Sequence, residues 1–417
     1  MFISGPYIQC PKCRKHEFGV LMINDHSYVR RCRDCFYDQG FALPRLQKKV
    51  IYLDQFVISN AMKAINPNAK SYGKTEELRY YKELFEKLDR LIKMQHIVCP
   101  SSSTHLTESL VDTDYQALRR LYNHFSSGVS FLDNKTIERF QITADFKNWL
   151  GLSVEPITVD RLSHDRIHAW QGKYIIDVDL SKDDEELPDR LRKERDELYQ
   201  ALLPVFRRWQ SEKGKAFKDW FEEEINSFGR ATYTAVFQRR RMIASKNPSE
   251  LTLDDLMPSD GEVLIADMHR IAKEAGIPKN EIYNKVAAYL VSEEFKQVPY
   301  PRISSMLLAA LANKAALGGK KPPTRGVFND IEFIAALAPY CDALFVDKEF
   351  QTFLDQEPLK TELGLSGKIY SLNKKSEFIA YLDGIEANAP KGHLAKVEEV
   401  YGDWYNHPFT SMFEKKS

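Results

Sequence analysis

The sequence predicts an α/β fold: a mainly parallel sheet covered by helices, carrying a large helical insertion and preceded by a small cysteine-paired module. Three observations predict it. Short apolar, β-branched runs alternate with amphipathic helical stretches near both ends of the body, and a long charged helical region separates the two groups. Four of the six cysteines fall early, as two C-x2-C pairs. A chain of 417 residues, 43% hydrophobic and 12% aromatic, can bury a sizeable core, and its length suits two units. The expected division is 1–45 for the small module and 46–417 for the body, with the insertion at about 134–300.

Cys10-Pro-Lys-Cys13 and Cys32-Arg-Asp-Cys35 are separated by eighteen residues, a spacing typical of a four-cysteine zinc ribbon. Each pair forms a tight turn that aims two thiolates at one tetrahedral ion. The segment between them, GVLMINDHSYVRR, predicts two short strands around Asn24-Asp25 that bring the pairs together. With cysteine at all four positions no coordination site stays open, so the expected Zn2+ is structural. Two disulfides or four unrelated thiols are the alternatives, disfavoured by a reducing compartment and by the paired spacing respectively.

After Pro44, the run Val50-Ile51-Tyr52-Leu53 reads as a buried first strand that stops at Asp54. Residues 75–95 place Leu78, Tyr81, Leu84, Phe85, Leu88, Leu91 and Ile92 on one face of a helix opened by Thr75. His96 to Pro100 and Val129 to Leu132 predict two further strands. From about 134 to 300 charged helical pattern dominates. A helix over ISSMLLAALANKAAL follows, flanked by Pro299 and Pro301 on one side and Pro322 and Pro323 on the other, and ending at Gly318-Gly319. Residues 328–338 predict another helix, Ala343 to Val346 a strand ending at Asp347, and Lys368 to Ser371 a fifth strand. The tail from 376 is helical, then irregular around Pro408.

Composition narrows the function classes. Lys plus Arg equals Asp plus Glu, 59 against 59, so the chain as a whole exerts no electrostatic pull on nucleic acid and any basic surface is local. One such excess lies between residues 1 and 49, with nine basic residues against four acidic. It suits phosphate contacts, a solvated surface or docking of a protein partner by the ribbon. The N-terminus has no secretory pattern and no run of about 18 apolar residues occurs, so a cytoplasmic protein without membrane contact is expected.

In a parallel α/β sheet, residues just past the carboxyl ends of strands face the crevice where ligands bind. Asp54 and Asp347 both fall there. Gathering carboxylates at one edge is unfavourable unless a divalent cation neutralises them, and oxygen ligands favour Mg2+ or Mn2+. Such ions activate water and stabilise charge on a phosphodiester, which is nuclease chemistry.

These residues resemble the PIN-like nuclease family. VIYLDQFVIS looks like its opening strand, which ends in a metal-binding Asp and leads into a helix. NDIEFIAALAPYCDALFVDKEF is similar to its closing signature: an Asp at the start of an Ile- and Ala-rich helix, then a strand that ends at a second Asp. The family often reads D-x-x-I-A-A there, and this chain has one more residue before Ile334-Ala335-Ala336. The first Asp of the family is often followed by Thr or Ser and then Asn, whereas Gln55 and Phe56 follow Asp54. The resemblance covers residues 50–132 and 300–375. It implies a PIN-like sheet in which Asp54, Glu108, Asp330 and Asp347 hold Mg2+ or Mn2+ and hydrolyse phosphodiester bonds, leaving a 5′ phosphate and a 3′ hydroxyl. Single-stranded RNA is the substrate it implies most often, and a toxin-like or phage-defence role is compatible with it.

Taken singly, each acid has a plainer reading: Asp330 as a helix cap and Glu108 as a solvated helix residue. Arg302, Arg325 and Lys348 are weaker candidates for phosphate contacts, and His105, one helical turn before Glu108, is placed to touch substrate or metal, although a lone His is more often a packed residue. Two rival functions remain. One is a non-catalytic nucleic-acid-binding or scaffold protein on a degenerate PIN-like fold, supported by Gln55-Phe56. The other is a phosphatase or nucleotide hydrolase using the same acidic crevice.

Overall fold

The computed structural model describes residues 3–68, 76–110, 112, 115–172 and 186–409. Strands β1 (Ser4–Ile8), β2 (Phe18–Asn24), β3 (Ser27–Cys32) and β4 (Asp38–Ala42) form an antiparallel sheet in sequential order. The hairpin between β2 and β3 closes with Asn24 opposite Ser27, as the turn residues predict.

The body is built on a parallel sheet of four strands, β5 (Lys49–Leu53), β6 (Ile97–Val98), β7 (Ala343–Phe345) and β8 (Lys368–Tyr370), in the order β6-β5-β7-β8. Ile51, Tyr52 and Leu53 pair with Ala343, Leu344 and Phe345, so two segments almost three hundred residues apart become the central strands. Successive side chains of a strand point to opposite faces. Val50, Tyr52 and Leu344 therefore enter the core on one face, and Ile51, Leu53, Ala343 and Phe345 the core on the other. Burying an apolar side chain of this size stabilises the fold by about 1.5–3 kcal/mol.

Helices α1 (Gln55–Ile65), α2 (Glu76–Lys93), α3 (Ser103–Leu110) and α4 (Tyr115–Ser126) follow the first strands. The face that holds Ile51 and Leu53 is covered by α1, α2, α4 and the later α15 (Lys375–Ala387). Thr75, the expected cap of α2, lies outside the described residues. The expected strand at 129–132 shrinks to isolated bridges, Ser101 with Ser130 and Phe131 with Ser163. The neighbouring segment offers little to pair with: after Val98 it meets Pro100, which has no N–H, and it enters α3 at Ser103.

The helical region comprises α5 (Asn134–Trp149), α6 (Leu187–Ser211), α7 (Phe217–Ser245), the one-turn α8 (Leu253–Leu256), α9 (Asp260–Glu274) and α10 (Ile282–Tyr289). It does not stand apart from the sheet. Trp209 and Trp220 share one buried cluster with Val50 and Tyr52, while α5, α9 and α10 close a second cluster around Met268 and Tyr289. Helix α11 (Pro299–Ala316) covers the sheet through Ile303, Met306 and Leu307. Pro299 and Pro301 lie inside its first turn instead of flanking it, because the first N–H groups of a helix have no partner to lose and proline presets the backbone angle. Gly318, at φ 105, ends it.

Helix α12 (Val327–Leu337) leads into β7, and α13 (Lys348–Asp355) and α14 (Leu359–Leu363) connect β7 to β8. The last helix, α16 (His393–Tyr401), returns to the N-terminal sheet, where Val397, Val400 and Tyr401 pack with Val20, Tyr28 and Trp170. Arg30, 1% exposed, donates to the carbonyls of Pro6, Phe18 and Glu399. One residue of the basic N-terminal excess is therefore spent internally, and Lys48 is buried as well.

Candidate metal centres and acidic site

The four ribbon cysteines converge. Cys10 Sγ lies 3.6 Å from Cys35 Sγ, and Cys13 Sγ lies 3.6 Å from Cys32 Sγ. All four sulfurs fall within 4.8 Å of one another. In a tetrahedral zinc centre with Zn–S bonds of about 2.3 Å the sulfurs stand about 3.8 Å apart, so the set fits a structural Zn2+. Within the cluster the thiols divide: burial pushes Cys10 up, but N–H groups of Cys13 and Lys12 and the nearby thiols bring it down to about 7, whereas burial and the neighbouring thiols raise Cys13. Cys99 and Cys341 are buried in the body, and burial raises both thiols.

The four predicted acids come within electrostatic reach of one another at the carboxyl edge of the central strands. Asp54 leaves β5 and caps α1, accepting from the Phe56 N–H at 3.4 Å. Asp347 follows β7 by two residues and caps α13, accepting from the Phe350 N–H at 2.7 Å. Strand end and helix start thus coincide at both positions, and each carboxylate is held by a helix N-terminus. Asp330 stands in the first turn of α12, so it is not the cap of that helix; Gly326 is. Glu108 lies on α3 and accepts from the Asn329 side-chain amide at 3.1 Å.

All four acids are half-buried and all are harder to ionise than usual. For Asp54 burial is the main cause, with Glu108 and Asp347 adding repulsion that the capping N–H groups do not offset, and the carboxyl is pushed up to about 8. Asp330 is raised by burial and then by Asp54, Asp347 and Glu108. Glu108 is raised by burial, and Asn329 and Arg195 pull against that. Three separate stretches of chain therefore contribute to one electrostatic unit. Their oxygens are more widely spaced than those of a closed cage: among the described residues, the cysteines are the group of three or more ligands lying within 4.8 Å. The oxygen donor set suits a hydrated Mg2+ or Mn2+, which keeps several waters and takes one or two carboxylates directly.

The weaker candidates separate. Arg302 points elsewhere, donating to Glu362 at 2.6 Å and lying over the Phe221 ring. Arg325 lines the cleft beside Glu108 but is held by Asp196 at 3.0 Å. Lys348 is exposed at the start of α13. His105 is a packing residue: its Nε2 donates to the Leu53 carbonyl at 2.8 Å, Tyr52 stacks on its ring, Tyr122 packs against it at a tilt, and burial lowers it to about 4. It stays neutral and props the strand that carries Asp54.

Other residues at the site emerge only from the fold. Glu349 adds repulsion to Asp330 and Asp347 and is held by Lys314 at 2.7 Å. Asn329 adjoins Asp330 in sequence, which was its one visible signal. Arg195 had none, being one charge among many in a helical run. Among the described residues no helix is long and apolar enough to cross a membrane. Compared with protein families, with curated proteins and with solved structures, the chain matches none.

Proposed function

We propose that this chain is a divalent-metal-dependent nuclease of PIN-like architecture, cutting single-stranded RNA at Asp54, Glu108, Asp330 and Asp347. The observation that carries the reading is the placement of Asp54 and Asp347 just past the paired strands β5 and β7, with Glu108 and Asp330 within electrostatic reach of Asp54. Such an arrangement is unfavourable in itself and is relieved by a cation. Bound Mg2+ or Mn2+ would supply activation of water and charge stabilisation on phosphorus.

The chain's own residues do the rest. Asp54 and Asp347, fixed by helix N-termini, would hold the cation. Asn329 holds Glu108 in one rotamer, and Asp330 extends the acidic wall from α12. The ribbon, closed on one side by α16, keeps the N-terminal sheet rigid against the body. A binding protein without chemistry is the second reading, favoured by the wide spacing of the oxygens.

One assay separates them. Labelled single-stranded RNA, structured RNA and DNA are offered to wild type, Asp54→Asn and Asp347→Asn with Mg2+ or Mn2+, recording binding and cleavage together. Cleavage by wild type, with both variants binding but not cutting, is the expected result. Binding without cleavage under either metal removes the nuclease reading in favour of the recognition module.

A further inference from the structure

The cleft beside Glu108 is finished by the helical region. Glu108, Asn134, Lys135, Arg195, Arg325 and Asn329 line a space of about 250 Å³ between α3, α5, α6 and α12. Its cations are not equivalent. Lys135 is engaged by Glu332 at 3.1 Å and Glu138 at 3.3 Å, and Arg325 by Asp196. Arg195 alone of the three has no hydrogen bond or ion pair among the described residues, and its Nε is shut away from solvent without a partner. Its charge is still felt by Glu108.

A half-buried guanidinium without a partner is unfavourable unless an anion completes it. A second group on the same wall is also incomplete. Asn134, 5% exposed, donates to Thr104 Oγ1 at 3.1 Å and leaves its Oδ1 unpaired. An arginine fork matches two phosphate oxygens, and a neutral acceptor matches a sugar hydroxyl. The acids themselves repel a phosphate, so a strand lying across them needs a cation beyond them.

We propose that this cleft is a nucleotide subsite: Arg195 holds a backbone phosphate adjoining the one that is cut, and Asn134 faces the neighbouring ribose. The inference rests on the nuclease reading and gives the helical region a role in it, setting where the strand lies relative to the acids.

The test uses the full chain. Binding of labelled single-stranded RNA is measured across salt concentrations in Asp347→Asn, with and without Arg195→Ala or Arg195→Lys, and kcat and KM are measured for the same Arg195 changes alone. Arg195→Ala is expected to weaken binding about tenfold and to flatten the plot of log affinity against log salt by about 0.7, the loss of one contact to a single strand. KM should rise more than kcat falls. Arg195→Lys should recover the salt slope but not the full affinity, because it restores the charge without the fork. Unchanged affinity and slope in a protein that binds and cuts RNA overturn the Arg195 assignment and leave the nuclease reading standing. A wild-type chain that neither binds nor cuts RNA with Mg2+ or Mn2+ overturns both.

Discussion

Asn329 donates its side-chain amide to a carboxylate oxygen of Glu108 across 3.1 Å, tying α12 to α3. Asp330, the next residue, belongs to the acidic site. One turn of helix thus supplies an acid and also holds another acid that comes from over two hundred residues earlier in the chain.

If Asn329 positions Glu108, Asn329→Ala should lower kcat about tenfold, the loss of roughly one charge-assisted hydrogen bond, with KM nearly unchanged. Thermal stability should barely move, since both residues are half-buried. An unchanged kcat, measured on RNA that wild type cuts, would show that Glu108 needs no such support.

The cysteine cluster predicts one zinc per chain, measurable by elemental analysis. Cys10→Ser or Cys32→Ser should abolish it and destabilise the fold, because both side chains are fully buried and the ribbon core around them is small. Since Tyr28 and Arg30 bond to Glu399, loss of the ion should also loosen α16, seen as faster amide exchange there. Normal stability in a zinc-free protein would sink the structural role.

Stability without divalent metal should fall as pH rises. Burial and the neighbouring acids push the Asp54 carboxyl up to about 8 in the folded chain against 3.8 ordinarily, so between those values the folded state holds a proton that the unfolded chain has released. The stabilisation is complete below the ordinary value and lost as pH passes the folded one. Melting temperature should therefore drop between about pH 5 and about pH 8, less so in Asp347→Asn, which removes one of the charges that repel Asp54. Mg2+ or Mn2+ should restore it at the upper end. A flat profile that metal does not change would show that the acids do not act as a unit.

Far from the acids, Asp89 accepts from Lys93 at 2.8 Å and pairs with His124 at 2.6 Å, all three buried. Lys93 also donates to the His407 carbonyl at 2.6 Å, and the His124 ring stacks on Phe409. The cluster fastens the end of the described chain to α2 and α4. Asp89→Ala leaves a buried ammonium unpaired and should cost about 3–5 kcal/mol in urea unfolding. A loss under about 1 kcal/mol would mean that Lys93 finds another partner.

The parts legible in the sequence are those set by local chemistry. Two C-x2-C pairs need only their own turns and one hairpin to meet, and an apolar run that halts at a carboxylate marks a strand end wherever the strand lies. Helical periodicity likewise located α2, α11 and α12. Tertiary structure decided whatever depends on a distant neighbour. Residues 129–132 have strand character, yet Ser101 and Ser163 meet them at single positions, so they make isolated bridges. Arg302 and Arg325 look alike as free cations in the sequence, until Glu362 and Asp196 claim them. Arg195 becomes notable for the opposite reason: folding places it at the acidic cleft and provides no hydrogen-bond or ion-pair partner among the described residues. Periodicity and spacing act within a few residues, whereas pairing and electrostatic compensation are settled between segments that only the folded chain brings together.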